Sequence, residues 1–122
     1  MRPKIDGTSF GSITVAGTVF DHDIVISPHG DVSKRKKKLS KAIYGTSHVI
    51  SLEEARYIAA EAAGVDRVII GAGQHGMVQL SPEAAEFFAG KGCAIVLRPT
   101  PEVIKVWNQT KGSAVGLFHV TC

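Results

Sequence analysis

A chain of 122 residues that is 44% hydrophobic is long enough to bury a core without disulfides or metals to staple it, and too apolar to be a disordered segment. It contains no run of about 18 apolar residues to span a bilayer, its opening Met1–Gly7 lacks a signal-length apolar stretch, and its two cysteines, Cys93 and Cys122, are too few for a disulfide framework; a single cytoplasmic domain over residues 1–122 with free thiols is expected. The formal charge of +3 is concentrated: Lys34, Arg35, Lys36, Lys37, Lys38 and Lys41 supply six positives, and the remaining eight basic side chains are outnumbered by eleven acidic ones, so the rest of the chain carries −3.

In chain order, Ser12–Val15, Thr18–Phe20 and Asp23–Ile26 read as three short strands separated by glycine and polar turns, an N-terminal antiparallel meander ended by Pro28 and Gly30. The basic run that follows reads as a solvated connection or a lysine-rich edge strand. Such a cluster also suits phosphate-rich partners, although no aromatic residue interleaves the lysines to stack on bases. Residues 44–48 read as a loop. Ser51-Leu52-Glu53-Glu54 is a capping box opening a helix to about Ala63, with Leu52, Ala55, Ala59 and Ala62 on one face and Gly64 closing it.

The second half alternates strand and helix. Arg67–Ile70 is a strand; Ser81 caps a helix with Pro82 at its first position and Phe87 and Phe88 turned inward; Cys93–Leu97 is a continuous apolar strand with Cys93 in the core. Thr100 caps a further helix whose inner stripe is Val103, Ile104 and Trp107, and Ala114–Val120 is the last strand. With Val115 and Leu117 on one face and Phe118 and Val120 on the other, that strand belongs at the centre of a sheet covered on both sides. The pattern is α/β.

Gly71-Ala72-Gly73-Gln74-His75-Gly76 matches the spacing of a dinucleotide-binding turn. That turn works because a helix starts at once and aims its N–H groups at pyrophosphate. Here Met77–Leu80 is strand-like and the helix starts only at Pro82, so the glycines are expected to turn the chain over the sheet edge. Neither a G-x-S-x-G elbow nor a Ser-His-Asp order is present, and His48, His75 and His119 are lone candidates for a general base. His119 and Cys122 do not make a four-ligand metal set. No catalytic set, metal or cofactor is therefore assigned. If the strands ending at Ile70, Leu97 and Val120 run parallel, their ends bring Gly71, Gly73, Gln74, His75 and Gly76 beside Arg98 and Thr100. That is where open α/β sheets bind ligands, and Arg98 with a helix N-terminus would suit an anion. Arg98 and Thr100 have a plainer role available, pairing with the C-terminal end and capping the helix.

Asp23-Ile24-Val25-Ile26 with Pro28 and Gly30, then Val68-Ile69-Ile70-Gly71-Ala72-Gly73, then Pro99-Thr100-Pro101-Glu102, Asn108 and the ending His119-Val120-Thr121-Cys122 resemble the small Mth-type domain. It is shared by the adipogenesis-associated Mth domain-containing protein and mitochondrial complex I assembly factor 3, and the likeness runs from about Phe10 to Cys122. The resemblance implies a three-layer domain with a central mixed, partly parallel sheet flanked by helices, in which one strand runs antiparallel to its neighbours, and a family of unknown function. Many members carry aromatic residues after the Pro-x-Gly turn, where this chain has Val32-Ser33 and its lysines. The first expectation is a non-enzymatic domain acting through a protein partner or a homo-oligomer. The alternatives are a small-anion or nucleotide binder, possibly an enzyme, using the Gly71–Gly76 loop with Arg98 and Thr100, and a nucleic-acid contact through residues 34–41.

Overall fold

A computed structural model describes residues 2–60 and 62–122. The N-terminal sheet is antiparallel, with β1 (Ile5–Ser9), β2 (Ser12–Val15) and β3 (Thr18–Phe20) in that order. The main sheet draws on β4 (Ile24–Ile26), β5 (Val32–Lys34), β7 (Arg67–Ala72), β9 (Ala94–Arg98) and β10 (Ala114–His119), in the order β5-β4-β10-β7-β9. A two-residue parallel pair joins β6 (Val49–Ile50) to β8 (Gln79–Leu80). The helices are α1 (Lys38–Tyr44), α2 (Leu52–Ala60), α3 (Pro82–Gly90) and α4 (Thr100–Gln109).

β10 is the central strand and is buried along its whole length, as its two apolar faces require. It runs parallel to β7, which runs parallel to β9, while β4 pairs with it antiparallel. Val115 and Leu117 of β10 join Val68 and Ile70 of β7 under Ala55 and Ile58 of α2 and Ala84 and Phe88 of α3. On the opposite face Phe118 and Ile69 meet Val103 and Trp107 of α4 together with Ile5, Ile13 and Val15 of the small sheet. The result is three layers. Burying each of these large side chains contributes about 1.5–3 kcal/mol, and Trp107 adds an edge-on contact with Phe118 at 5.5 Å between ring centroids. Asn108 then fastens the small sheet to α4: its Oδ1 accepts from Ile5 N–H and its Nδ2 donates to Ile5 O, both at 2.9 Å.

Several local expectations need correction. The opening meander begins with β1, and Ile24–Ile26 is not its third strand: it crosses to the main sheet, where its three apolar side chains are all buried. The basic run is neither one loop nor one strand. Lys34 ends edge strand β5, Arg35 turns inward, and Lys38 to Tyr44 form a helix ended by Gly45 in the left-handed conformation. Of the capping box only half is made. Ser51 Oγ accepts from Glu54 N–H, but the Glu54 carboxylate points into the protein, and Ser40 Oγ takes the Ser51 N–H instead. Ile58, absent from the expected stripe of α2, is its large buried residue. At α4 the cap position falls on Pro99, and Thr100 is already helical. Cys93 precedes β9 and is half-buried; burial pushes its thiol up, and Sγ lies 3.5 Å from Val65 O.

Candidate functional site

The strands β7, β9 and β10 are parallel, so their carboxyl ends do share one edge, and residues 71–76, 98–100 and 119–122 lie along it. Thr100 ties them together. Its Oγ1 donates to His119 O at 2.7 Å and accepts from Gly73 N–H at 2.9 Å, while its own N–H donates to Gly73 O at 2.9 Å. Thr100 is wholly buried. A Cβ on Gly71 would stand 2.7 Å from that hydroxyl, and a Cβ on Gly73, whose φ is +96°, would stand 2.3 Å from the Cys122 carbonyl carbon. The glycines thus admit the start of α4 and the 121–122 main chain.

The loop's outward N–H groups point at that main chain. Gln74 N–H donates to Thr121 O at 2.7 Å, and His75 and Met77 N–H converge on Cys122 O at 3.1 and 3.2 Å. Gln74 Nε2 reaches Thr8 on the small sheet at 3.0 Å. Helix α3 starts after this loop and β8, with Ser81 Oγ accepting from Ala84 N–H, so no helix N-terminus faces the glycines. Gly76 lies against Pro99, and His75 and Arg98 are exposed at the rim.

Beneath this edge is a constellation that sequence reading missed. Asp23, just before β4, places Oδ2 2.7 Å from His119 Nδ1 and 3.0 Å from Arg35 Nη1, while its Oδ1 accepts from Val120 N–H at 2.9 Å. Arg35 also grips Glu54 of α2 in a two-pronged pair, at 2.7 and 3.0 Å, and donates to Ser47 O at 2.8 Å. Ser40 of α1 donates to the same Glu54 carboxylate. All four charged or titratable groups, Asp23, Arg35, Glu54 and His119, are buried. Burial alone would raise the Asp23 pKa, but hydrogen bonds from His119 and the Val120 N–H, with the Arg35 charge, lower it from 3.8 to about 2. Burial likewise works against the Arg35 charge and its carboxylate partners overcome it, so its pKa moves upward.

An ionised Asp23 accepts only, so His119 Nδ1 must carry the hydrogen. The remaining nitrogen, Nε2, lies 3.0 Å from Thr121 Oγ1, and the His48 ring stands edge-on to His119 at 5.4 Å. Carboxylate, imidazole and hydroxyl are in line, the order in which a carboxylate orients a base toward a nucleophile. Here the imidazole is buried and its partners are all supplied by the chain, so the arrangement holds β4, β10 and residues 120–121 together. Among the described residues no group of three or more His, Cys, Asp or Glu side chains is placed to hold a metal ion.

Beside His75 and Arg98, this edge also exposes apolar side chains. Phe10, at the β1–β2 turn, is 62% exposed and lies 6.4 Å from the His75 ring; Met77 is 54% and Leu97 38% exposed. β9 ends the sheet order, with β7 on one side only. Ala94 N–H donates to Asp66 O on the β7 side, so the alternation of a parallel ladder turns the N–H and C=O groups of Ile95 and Leu97 outward. Lys34, Lys36, Lys37, Lys38 and Lys41 are exposed at the opposite end of the sheet order. Among the described residues no helix is long and apolar enough to cross a membrane.

Residues 5–118 match the family described as a protein of unknown function, DUF498/DUF598. Among solved structures, the conserved hypothetical protein PH1505 from Pyrococcus horikoshii OT3 is 35% identical, with 98% of this chain and 99% of that chain covered and a TM-score of 0.90. The structure named MT938 is 31% identical over 98% and 99% of the two chains, with a TM-score of 0.83. A protein from Bordetella pertussis described as a Mth938-like domain shares the fold at 14% identity over 97% and 85%, with a TM-score of 0.65. No curated protein matches the chain. The Mth-type resemblance and the three-layer mixed-sheet fold it implied both hold, and the chain belongs to the DUF498/DUF598 family of proteins of unknown function.

Proposed function

We propose that the domain works by binding a protein, taking an extended segment of its partner along β9 with Phe10, Met77 and Leu97 as apolar contacts nearby. The observation that carries this reading is the bare edge. β9 is Ala-Ile-Val-Leu-Arg, with no lysine, proline or bulge to blunt it, and an uncovered apolar edge strand is a template that proteins ordinarily protect. Main-chain groups of Ile95 and Leu97 would supply affinity, and the flanking side chains selectivity. Backbone hydrogen exchange tests it. In the isolated protein the Ile95 and Leu97 N–H groups exchange quickly, and they become protected in the partner complex or in a homo-oligomer. Continued fast exchange in a complex that has formed would place the partner elsewhere.

A second reading, a small anion at the Gly71–Gly76 loop, is favoured by one observation: two N–H groups, from His75 and Met77, already converge on a single oxygen, that of Cys122. A carboxylate or phosphate oxygen would take that place, with Arg98 as a neighbouring cation. Thr100 and Gly73, being buried, would shape the loop without touching the ligand. Inorganic phosphate at a concentration 100-fold above its dissociation constant would stabilise the fold by about 2.7 kcal/mol. A shift retained in Arg98→Ala removes Arg98 from the site.

A further inference from the structure

Six basic residues between 34 and 41 look equivalent in sequence, but the fold separates them into one and five. Arg35 is consumed by Asp23, Glu54 and Ser47 inside the protein. Lys34, Lys36, Lys37, Lys38 and Lys41 all face out, and none of them takes part in an ion pair among the described residues. The anchored Arg35 fixes the backbone on both sides of it, so these lysines are displayed from a set position.

Residues 34–38 line a concavity of about 280 Å³. Its lining includes three lysines around the start of α1, whose first turn carries no acidic residue. Cations there oppose the helix dipole and one another. Helix stability does not account for them. The helix also supplies an aromatic residue that the lysine run itself lacks. Lys37, Lys41 and Tyr44 are spaced i, i+4 and i+7, hence on one face, and Tyr44 is 40% exposed.

We infer that the concavity of residues 34–38 and the Lys37–Lys41–Tyr44 face of α1 bind single-stranded nucleic acid, the lysines following the phosphates and Tyr44 stacking on a base. Lysine-lined grooves with an adjacent aromatic ring are the shared chemistry of strand binding without sequence preference. A membrane surface fits less well. α1 has seven residues, turns Leu39 partly inward and Ser40 fully inward, and leaves Ala42 and Ile43 as its exposed aliphatic side chains, too little apolar surface for an interfacial helix. The site is separate from the β9 edge and stands or falls independently of it.

Fluorescence anisotropy with labelled oligo-dT and oligo-U of about 20 nucleotides, on the full chain, tests the inference. Five phosphate contacts to a single strand predict a slope of log affinity against log salt of about −3.5. The charge reversal Lys36→Glu/Lys37→Glu/Lys38→Glu should abolish binding without lowering the melting temperature, because these side chains are exposed. Tyr44→Ala should weaken binding about 5- to 150-fold, and Tyr44→Phe should restore it. No binding at low salt overturns the inference. So does an unchanged affinity in Tyr44→Ala, equal or tighter binding of a duplex of the same length or of polyglutamate, or tighter binding of vesicles rich in phosphatidylserine.

Discussion

The two edges of the main sheet are finished in opposite ways. At one, β5 is three residues long and ends in Lys34, beside a surface of lysines that form no ion pair among the described residues; at the other, β9 presents Ala-Ile-Val-Leu before its single arginine. The interior follows the same division. Beside the buried Ile24, Val25 and Ile26 of β4, the interior near β4 and β5 also holds His119, Asp23, Arg35 and Glu54 linked in a chain, whereas α3, β7 and β9 meet through Phe88, Val68, Ile70 and Ile95. One edge refuses a neighbouring strand by charge and rests on a polar interior that must be fully paired. The other rests on packing and is left able to accept a strand. Position in the sheet thus predicts both what a partner can be and how the fold fails.

The largest way to break the comparison is to remove its central cation. Arg35→Ala leaves two buried carboxylates without their partner and should cost about 3–5 kcal/mol in urea unfolding. Arg35→Lys should recover only part of this, since a point charge cannot make the two-pronged contact with Glu54. Phe88→Ala should cost a similar amount, about 3–5 kcal/mol, through an apolar cavity. Asp23 has a depressed pKa in the folded state, from 3.8 to about 2. Its contribution, about 2 kcal/mol from the size of that shift, is therefore complete above pH about 4 and is lost as pH falls toward 2. Unfolding free energy measured across that window should fall in wild type and in Phe88→Ala alike, and flatten in Asp23→Asn.

Smaller changes sharpen the picture at the shared strand ends. Gly71→Ala drives a methyl group against Thr100 and Val103 and should cost about 1–3 kcal/mol, with the resonances of His119 and Gly73 moving because both hydrogen-bond to Thr100. Leu97→Lys, on the open edge, should change unfolding free energy by less than about 0.5 kcal/mol while abolishing complex formation followed by size-exclusion chromatography. Preserved assembly in Leu97→Lys would remove β9 as the docking edge.

How much of this is legible in the sequence depends on how local each signal is. Ser81-Pro82 at the start of α3, the Val103 and Trp107 stripe, and the doubly apolar central strand β10 are written within a few residues, and the fold keeps them. That the glycines are followed by strand and not by helix is legible for the same reason. The buried charge cluster is not. Its contacts join residues 12, 19 and 96 positions apart, and Arg35 is camouflaged by lysines on both sides. One arginine within a lysine run is the available hint, because a guanidinium is suited to a buried carboxylate fork and an ammonium is not. Helix α1 leaves no periodic trace because only Leu39 and Ser40 turn inward, which is too few for an apolar period. The departure of Ile24–Ile26 from the meander is hidden because short apolar strands do not name their partners.

The central position of β10 also sets an order of events during synthesis. β4 and β7 each pair with it and not with one another, yet among the described elements it comes last in chain order. Until residues 114–119 emerge, the strands on either side have no common neighbour, the Asp23 carboxylate has no His119 or Val120 to accept from, and the apolar faces of α2, α3 and α4 lack the middle of the sheet they cover. Closing the sheet is consequently a long-range step, slow by topology, and the segments made before β10 need protection until it forms.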